Sequence, residues 1–297
     1  MAYQDTIATA SAPALPDIRT IHMTDLKDAL AKGWDDFTAM PTHAVFLSLI
    51  YPIVGLAIGR ATLGGHFVPL LYPLAAGFAL IGPFAAIGLY ELSRRREAGL
   101  DSSWEHAFDV VHSPSLPSIA ALGVFLMIVF GVWVAIAHSI YVANFGYAEP
   151  ERPLAFLTRV LTTRAGHDLI IVGNLVGFLF ALGVFAVSVI SFPLLIDRDI
   201  GVAAAVTTSV RAVIHNPVTM AMWGIIVAAL LVIGSLPAFF GLAVVMPVLG
   251  HASWHLYRKV VEPAPLPRGE RPHRSKGRRY AAEFPAALFA RYPDEER

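Results

Sequence analysis

Apolar residues in this chain come in long unbroken runs, and three of these runs end alike: a proline, about one to two turns, then ionisable side chains. Leu71 to Glu97, LYPLAAGFALIGPFAAIGLYELSRRRE, sets the pattern, with Pro83 ahead of Glu91 and of Arg94, Arg95 and Arg96. Pro193 precedes Asp197, Arg198 and Asp199, and Pro247 precedes His251, His255, Arg258 and Lys259. A helix needs roughly 20 apolar residues to cross the roughly 30 Å of membrane hydrocarbon. Six segments approach or exceed that length: residues 44–59, 67–90, 118–145, 169–196, 218–235 and 238–257. The first is short, which puts His43 or Arg60 near an interface.

Amphipathic stretches stand ahead of these pairs. From Thr24, Leu26, Leu30, Trp34 and Phe37 fall near one helical face, with Asp and Lys opposite and Pro41 as the stop. Ser102 and Glu105 have capping-box spacing, and Trp104, Ala107, Phe108 and Val111 follow as a stripe. Val202, Val206, Val210 and Val213 form the third stripe, before Pro217. The pattern predicts an all-α polytopic membrane protein with six transmembrane helices as three hairpin repeats, each preceded by a cytoplasmic amphipathic interfacial helix. Residues 1–23 are expected as a loosely held N-terminal cytoplasmic strap. Residues 24–259 form the membrane domain, with repeats at 24–97, 99–199 and 201–259, and 260–297 a basic, proline-rich cytoplasmic tail. The outer loop at 146–168 is long enough to hold a short helix of its own.

Composition agrees: 56% of the 297 residues are hydrophobic, 15% are charged and mean hydropathy is +0.61. With six spans, eighteen of the 22 Lys and Arg residues fall on the same side as the N-terminus, leaving Arg60, Arg152, Arg159 and Arg164 on the other. The positive-inside rule then places both termini in the cytoplasm. Zero formal net charge gives no reason to expect nucleic acid as a partner. The absence of cysteine excludes disulfides, thiol catalysis and iron–sulfur ligation. The first forty residues hold no apolar core of signal-peptide type, so no cleavage is expected.

Candidate chemistry is sparse. No Asp, Glu, Lys or Arg lies at mid-depth in the six segments, which argues against a pump or ion-coupled transporter. Asn174, between Gly173 and Gly177 in GNLVG, has the spacing of a close helix contact. His251 and His255 are one turn apart and share a face, and with a carboxylate from Glu91 or Asp197 they could hold a transition metal. The alternative is a pair of helix-exit histidines bonded to carbonyls or carboxylates, and no cofactor is expected. His138 lies toward the opposite end of its span, so no single haem could take ligands from both places. Arg94, Arg95 and Arg96, with Trp34, Trp104 and Trp254, are expected as membrane-interface anchors.

The segments GFALIGPFAAIGLYELSRRRE, SFPLLIDRDI, TSVRAVIHNP and PVLGHASWHLYRK resemble the uncharacterised bacterial integral membrane family DUF2189, over about Ile21 to Val260. Some members of that family carry a cytochrome c oxidase subunit label. The resemblance implies a helical inner-membrane fold but supplies no catalytic residue. The chain has too few helices and membrane histidines for a haem–copper catalytic subunit, which leaves an accessory or assembly role beside a respiratory or other membrane complex. The expected partners are the lipid bilayer and other integral membrane subunits. Two further readings stay open: a passive carrier or channel for a small neutral or lipid-like solute, lined by Asn174, Ser188, Ser191 and Thr219, and a metal-binding protein using His251 and His255.

Overall fold

The structure, a computed structural model, describes residues 15–40, 53, 73–74, 86–147, 153–237 and 239–263. In chain order the helices are α1 (Met23–Ala39), α2 (Ile87–Glu97), a 3₁₀ helix (Trp104–His112), α3 (Leu116–Phe145), α4 (Pro153–Thr162), α5 (Arg164–Ser188), α6 (Ser191–Asp197), α7 (Val202–His215), α8 (Pro217–Ser235) and α9 (Leu242–Val260). The expected span at 44–59, most of that at 67–90, the first 14 residues and the tail from residue 264 lie outside the described residues.

Among the described residues three stretches are long and apolar enough to cross a membrane: Leu116–Phe145, Arg164–Asp197 and Pro217–Ser235. They are the expected third, fourth and fifth spans. α9, expected as the sixth, is not among them. Its apolar part runs only from Leu242 to Gly250, about 14 Å at the helical rise, roughly half the hydrocarbon thickness. Its second half is core: Ala252, Leu256, Tyr257 and Val260 are each 0% exposed.

The longest stretch is not a straight rod. α5 gives way to α6 at residues 189–190, one turn before Pro193, which lacks the N–H to continue the ladder. Ser209 of α7 enters the gap, accepting from Ile190 N (3.2 Å) and donating to Ala186 O (2.7 Å), so its hydroxyl stands in for the missing 190-to-186 bond. This contact also fixes which face of α7 turns inward. Ala205, Thr208, Ser209 and Ala212 are buried, while the valine stripe read from the sequence flanks them half-buried.

α1 is a core element rather than a helix merely lying on the interface. Leu26, Ala29, Gly33, Asp36 and Phe37 are buried, whereas Trp34 stays 51% exposed. A Cβ on Gly33 would lie 2.6 Å from Ala252 N, so the backbones of α1 and α9 touch. Gly250 gives α2 a similar approach, with Leu89 against it. Lys259 closes the pair at the far end, reaching Asp25 (3.1 Å) and Asp28 (2.8 Å).

The strap ahead of α1 is pinned over residues 15–22. Arg19 N donates to Val260 O (2.7 Å) and Glu262 N to Asp17 O (3.1 Å). Asn216, just before α8, accepts from Ile21 N (2.9 Å) and donates to Arg19 O (3.0 Å), satisfying an extended backbone as a neighbouring strand would. The second amphipathic stretch also differs from its expected form. Its helix is 3₁₀, buries Ala107 and Val110, and begins after Ser103; the Ser102–Glu105 capping box does not form. The connection between α3 and α5 carries its expected helix as α4, held on α3 by Arg159 over the Phe145 ring (4.8 Å).

Candidate functional site

Four helix ends converge at one end of the bundle, and their polar side chains are spent on one another. Ser93 of α2 donates to Asp36 Oδ2 of α1 (2.7 Å), and His255 Nε2 of α9 meets the same oxygen (2.8 Å). Arg96 donates to the other carboxylate oxygen. His251, fully buried, approaches Ser93 Oγ through Nδ1 (2.7 Å). Ser93 has one proton, and the carboxylate takes it, so the proton between Ser93 and His251 sits on Nδ1. The chain of donors therefore runs from His251 through Ser93 to Asp36, and His251 Nε2 is left buried with no hydrogen-bond partner among the described residues.

Burial works against the charged form of Asp36, yet the hydrogen bonds from His255 and Ser93 outweigh it and hold this carboxyl below the ordinary carboxylate range. An ionised Asp36 is what the donor set requires: three groups point hydrogens at its two oxygens.

The carboxylates paired with the two histidines from sequence are engaged elsewhere. Glu91 takes a two-pronged bond from Arg94 (2.7 and 2.6 Å), and Asp197 accepts from Tyr257 (2.6 Å). The carboxylate that meets His255 is Asp36, which the sequence pattern had turned to solvent. Among the described residues, no group of three or more His, Cys, Asp or Glu is placed to hold a metal ion.

The expected interface anchors divide. Trp104 and Trp34 remain substantially exposed. Trp254 is 1% exposed and donates to Glu97 (2.8 Å), so it is a core residue tying α9 to α2. The three arginines are half-buried and each is paired: Arg94 with Glu91, Arg95 with Asp109 (2.8 Å) and Arg96 with Asp36.

The GNLVG contact is one-sided. Gly177 faces Trp133 of α3, with a Cβ there only 2.9 Å from the indole, while a Cβ on Gly173 would meet nothing within 4 Å. Asn174 donates to Ile170 O of its own helix (2.7 Å). Gly177→Leu is therefore expected to force α5 off α3 at a cost of roughly 1–3 kcal/mol, and Gly173→Leu to change stability by no more than about 0.5 kcal/mol. Thermal unfolding in detergent separates them, and equal losses would contradict the packing.

Residues 71–197 match the family described as Predicted integral membrane protein (DUF2189). The match includes α2, α3 and α5 through Asp197, with Ser93 and the three arginines. It leaves out α1, which carries Asp36, and α9, which carries both histidines, so the network joins matched and unmatched parts of the chain. No curated protein and no solved structure matches the chain.

Proposed function

We propose that this is a non-catalytic, multi-pass inner-membrane protein that serves as a structural or accessory subunit beside other integral membrane proteins. The observation that carries this reading is where the charged groups go. Asp36, Glu91, Glu97 and Asp197 all hold neighbouring side chains of the fold, so the chemistry at the charged end is spent on clamping α1, α2, α6 and α9 together. The spans, by contrast, are under-covered. Only 28% of the most apolar part of Leu116–Phe145 and 22% of that of Pro217–Ser235 is buried within the chain, which leaves broad faces for lipid or for another subunit.

The carrier reading loses its lining. Ser188, Ser191 and Thr219 donate to the carbonyls of Val184, Val187 and Ile21, and Asn174 sits on an exposed helix face. With residues 17–19 bonded to residues 260–262, we propose a multi-pass topology with both of these ends on one side of the membrane, the cytoplasmic side by the charge pattern. Association with a cytochrome oxidase-type complex rests on the family label alone.

Because the chain has no cysteine, a single Leu179→Cys on the exposed face of α5 gives a clean cross-linking site. Under this reading it should cross-link, in native membranes, to one integral membrane protein that also co-purifies at fixed stoichiometry in mild detergent. A chain that purifies alone and drives solute flux in proteoliposomes would overturn it.

A further inference from the structure

Between α2, the 3₁₀ helix, the start of α3 and the end of α6 lies a cavity of about 310 Å³. Arg94, Arg95 and Arg198 line it together with Glu91, Asp109, Asp197 and Asp199, the first three carboxylates each taken by one of these arginines. Each guanidinium commits only part of its donor set to the fold. Arg94 uses Nε and Nη2 on Glu91, Arg95 uses Nε on Asp101 O and Nη1 on Asp109, and Arg198 uses Nε on Asp197 and Nη2 on Glu262 O. Among the described residues Arg94 Nη1, Arg95 Nη2 and Arg198 Nη1 donate to nothing, so three charged donors line one hollow already oriented by their other bonds. Asp199 is exposed and has neither a hydrogen bond nor an ion pair among the described residues.

Depth narrows the choice of ligand. α3 starts at Leu116 and the Arg164–Asp197 stretch stops at the same hollow; at 30 and 34 residues both outrun the hydrocarbon, so under the membrane reading their ends carry the cavity into the headgroup layer. A phosphodiester would satisfy the three spare donors through charge-assisted bonds. A phosphate alone would leave Asp199 facing like charge, whereas a ligand that also carries an ammonium group satisfies it.

We propose that this cavity seats the headgroup of an ethanolamine phospholipid, with its phosphate on Arg94, Arg95 and Arg198 and its ammonium on Asp199. The site rests on the membrane reading above, since it needs both span ends in a bilayer. It also gives the charged end a task beyond holding the fold, namely fixing one lipid against the start of α3.

Native mass spectrometry of the full chain in mild detergent tests it, with dioleoyl phosphatidylethanolamine, dioleoyl phosphatidylglycerol and soluble glycerophosphoethanolamine offered at equal concentration. The ethanolamine lipid should be retained about tenfold better than the glycerol lipid, the scale of one charge-assisted bond. Asp199→Asn should abolish that preference, Asp199→Lys should reverse it and Asp199→Glu should keep it, all with wild-type thermal unfolding because Asp199 supports nothing in the fold. Equal retention of the two lipids by the wild type, or an unchanged preference in Asp199→Asn, would overturn the proposal. Displacement of the lipid by glycerophosphoethanolamine would overturn the lipid source. Resistance to carbonate extraction reports membrane integration separately, so a protein that stays in the bilayer yet retains no ethanolamine lipid refutes this site alone.

Discussion

Replacing Asp36 by Ala is expected to lower stability by about 3 kcal/mol, within the range for removing one partner of a buried ion pair. The carboxylate takes hydrogens from Ser93, His255 and Arg96, and its own side chain is 6% exposed. Ala leaves all three donors facing an apolar hollow. Arg96 is 33% exposed and can turn partly to water, which keeps the cost at the lower end of that range. Asp36→Asn retains the shape but presents an amide where a full charge was required, so it should fall between Ala and the wild type. Acid provides an independent check. The folded-state carboxyl sits below its ordinary value, so its contribution is complete above about pH 4 and is lost as pH falls through the lower folded value. Asp25 and Asp28 are also held low, so Asp36→Asn should shallow the acid limb of a stability–pH curve without flattening it. Parallel curves for variant and wild type would show that Asp36 is not ionised in the fold.

How much of the fold and its charged end was readable in the sequence depends on the signal each element carries. The spans at α3, α5 and α8 were legible because an apolar run near 20 residues long matches the hydrocarbon thickness and is hard to bury anywhere else. The kink at residues 189–190 was half legible: Pro193 announced a break, but nothing in the sequence tied it to Ser209, nineteen positions from Ile190. α1 was placed correctly, but its buried face is offset from the expected stripe: Leu26 and Phe37 are buried, Leu30 is half-buried and Trp34 is exposed. Ranking side chains by hydrophobicity selects Leu30 and Trp34, whereas packing selected Ala29 and Gly33, since small residues let α9 come close and large ones cannot. That rotation carried Asp36 inward. The histidine pair was legible by spacing, but its partner was hidden, because Asp36 lies 219 positions from His255 and looked like one charge among several on a solvated face. Ser93, between Leu92 and three arginines, gave no signal at all.

Gly33 makes the dependence of the polar network on packing testable. A Cβ at this position would lie 2.6, 2.7 and 2.8 Å from Ala252 N, Cβ and Cα, and two of these are backbone atoms that no rotamer change can move. Gly33→Leu should therefore displace α1 from α9, at the upper end of the roughly 1–3 kcal/mol typical of overpacked cores. The readout is local. Lys27 and Lys32 lie on α1, and trypsin should cut after them in the variant well before it cuts the wild type. Because α1 also carries Asp36, displacement breaks the bonds to Ser93 and His255 and the Arg96 pair in the same step. The costs of Gly33→Leu and Asp36→Ala should then fall short of adding in the double variant, by about 1–2 kcal/mol on the usual scale for residues that share one contact. Full additivity would mean that Gly33→Leu leaves the Asp36 bonds intact, and that the close approach at Gly33 contributes nothing to assembling the charged end.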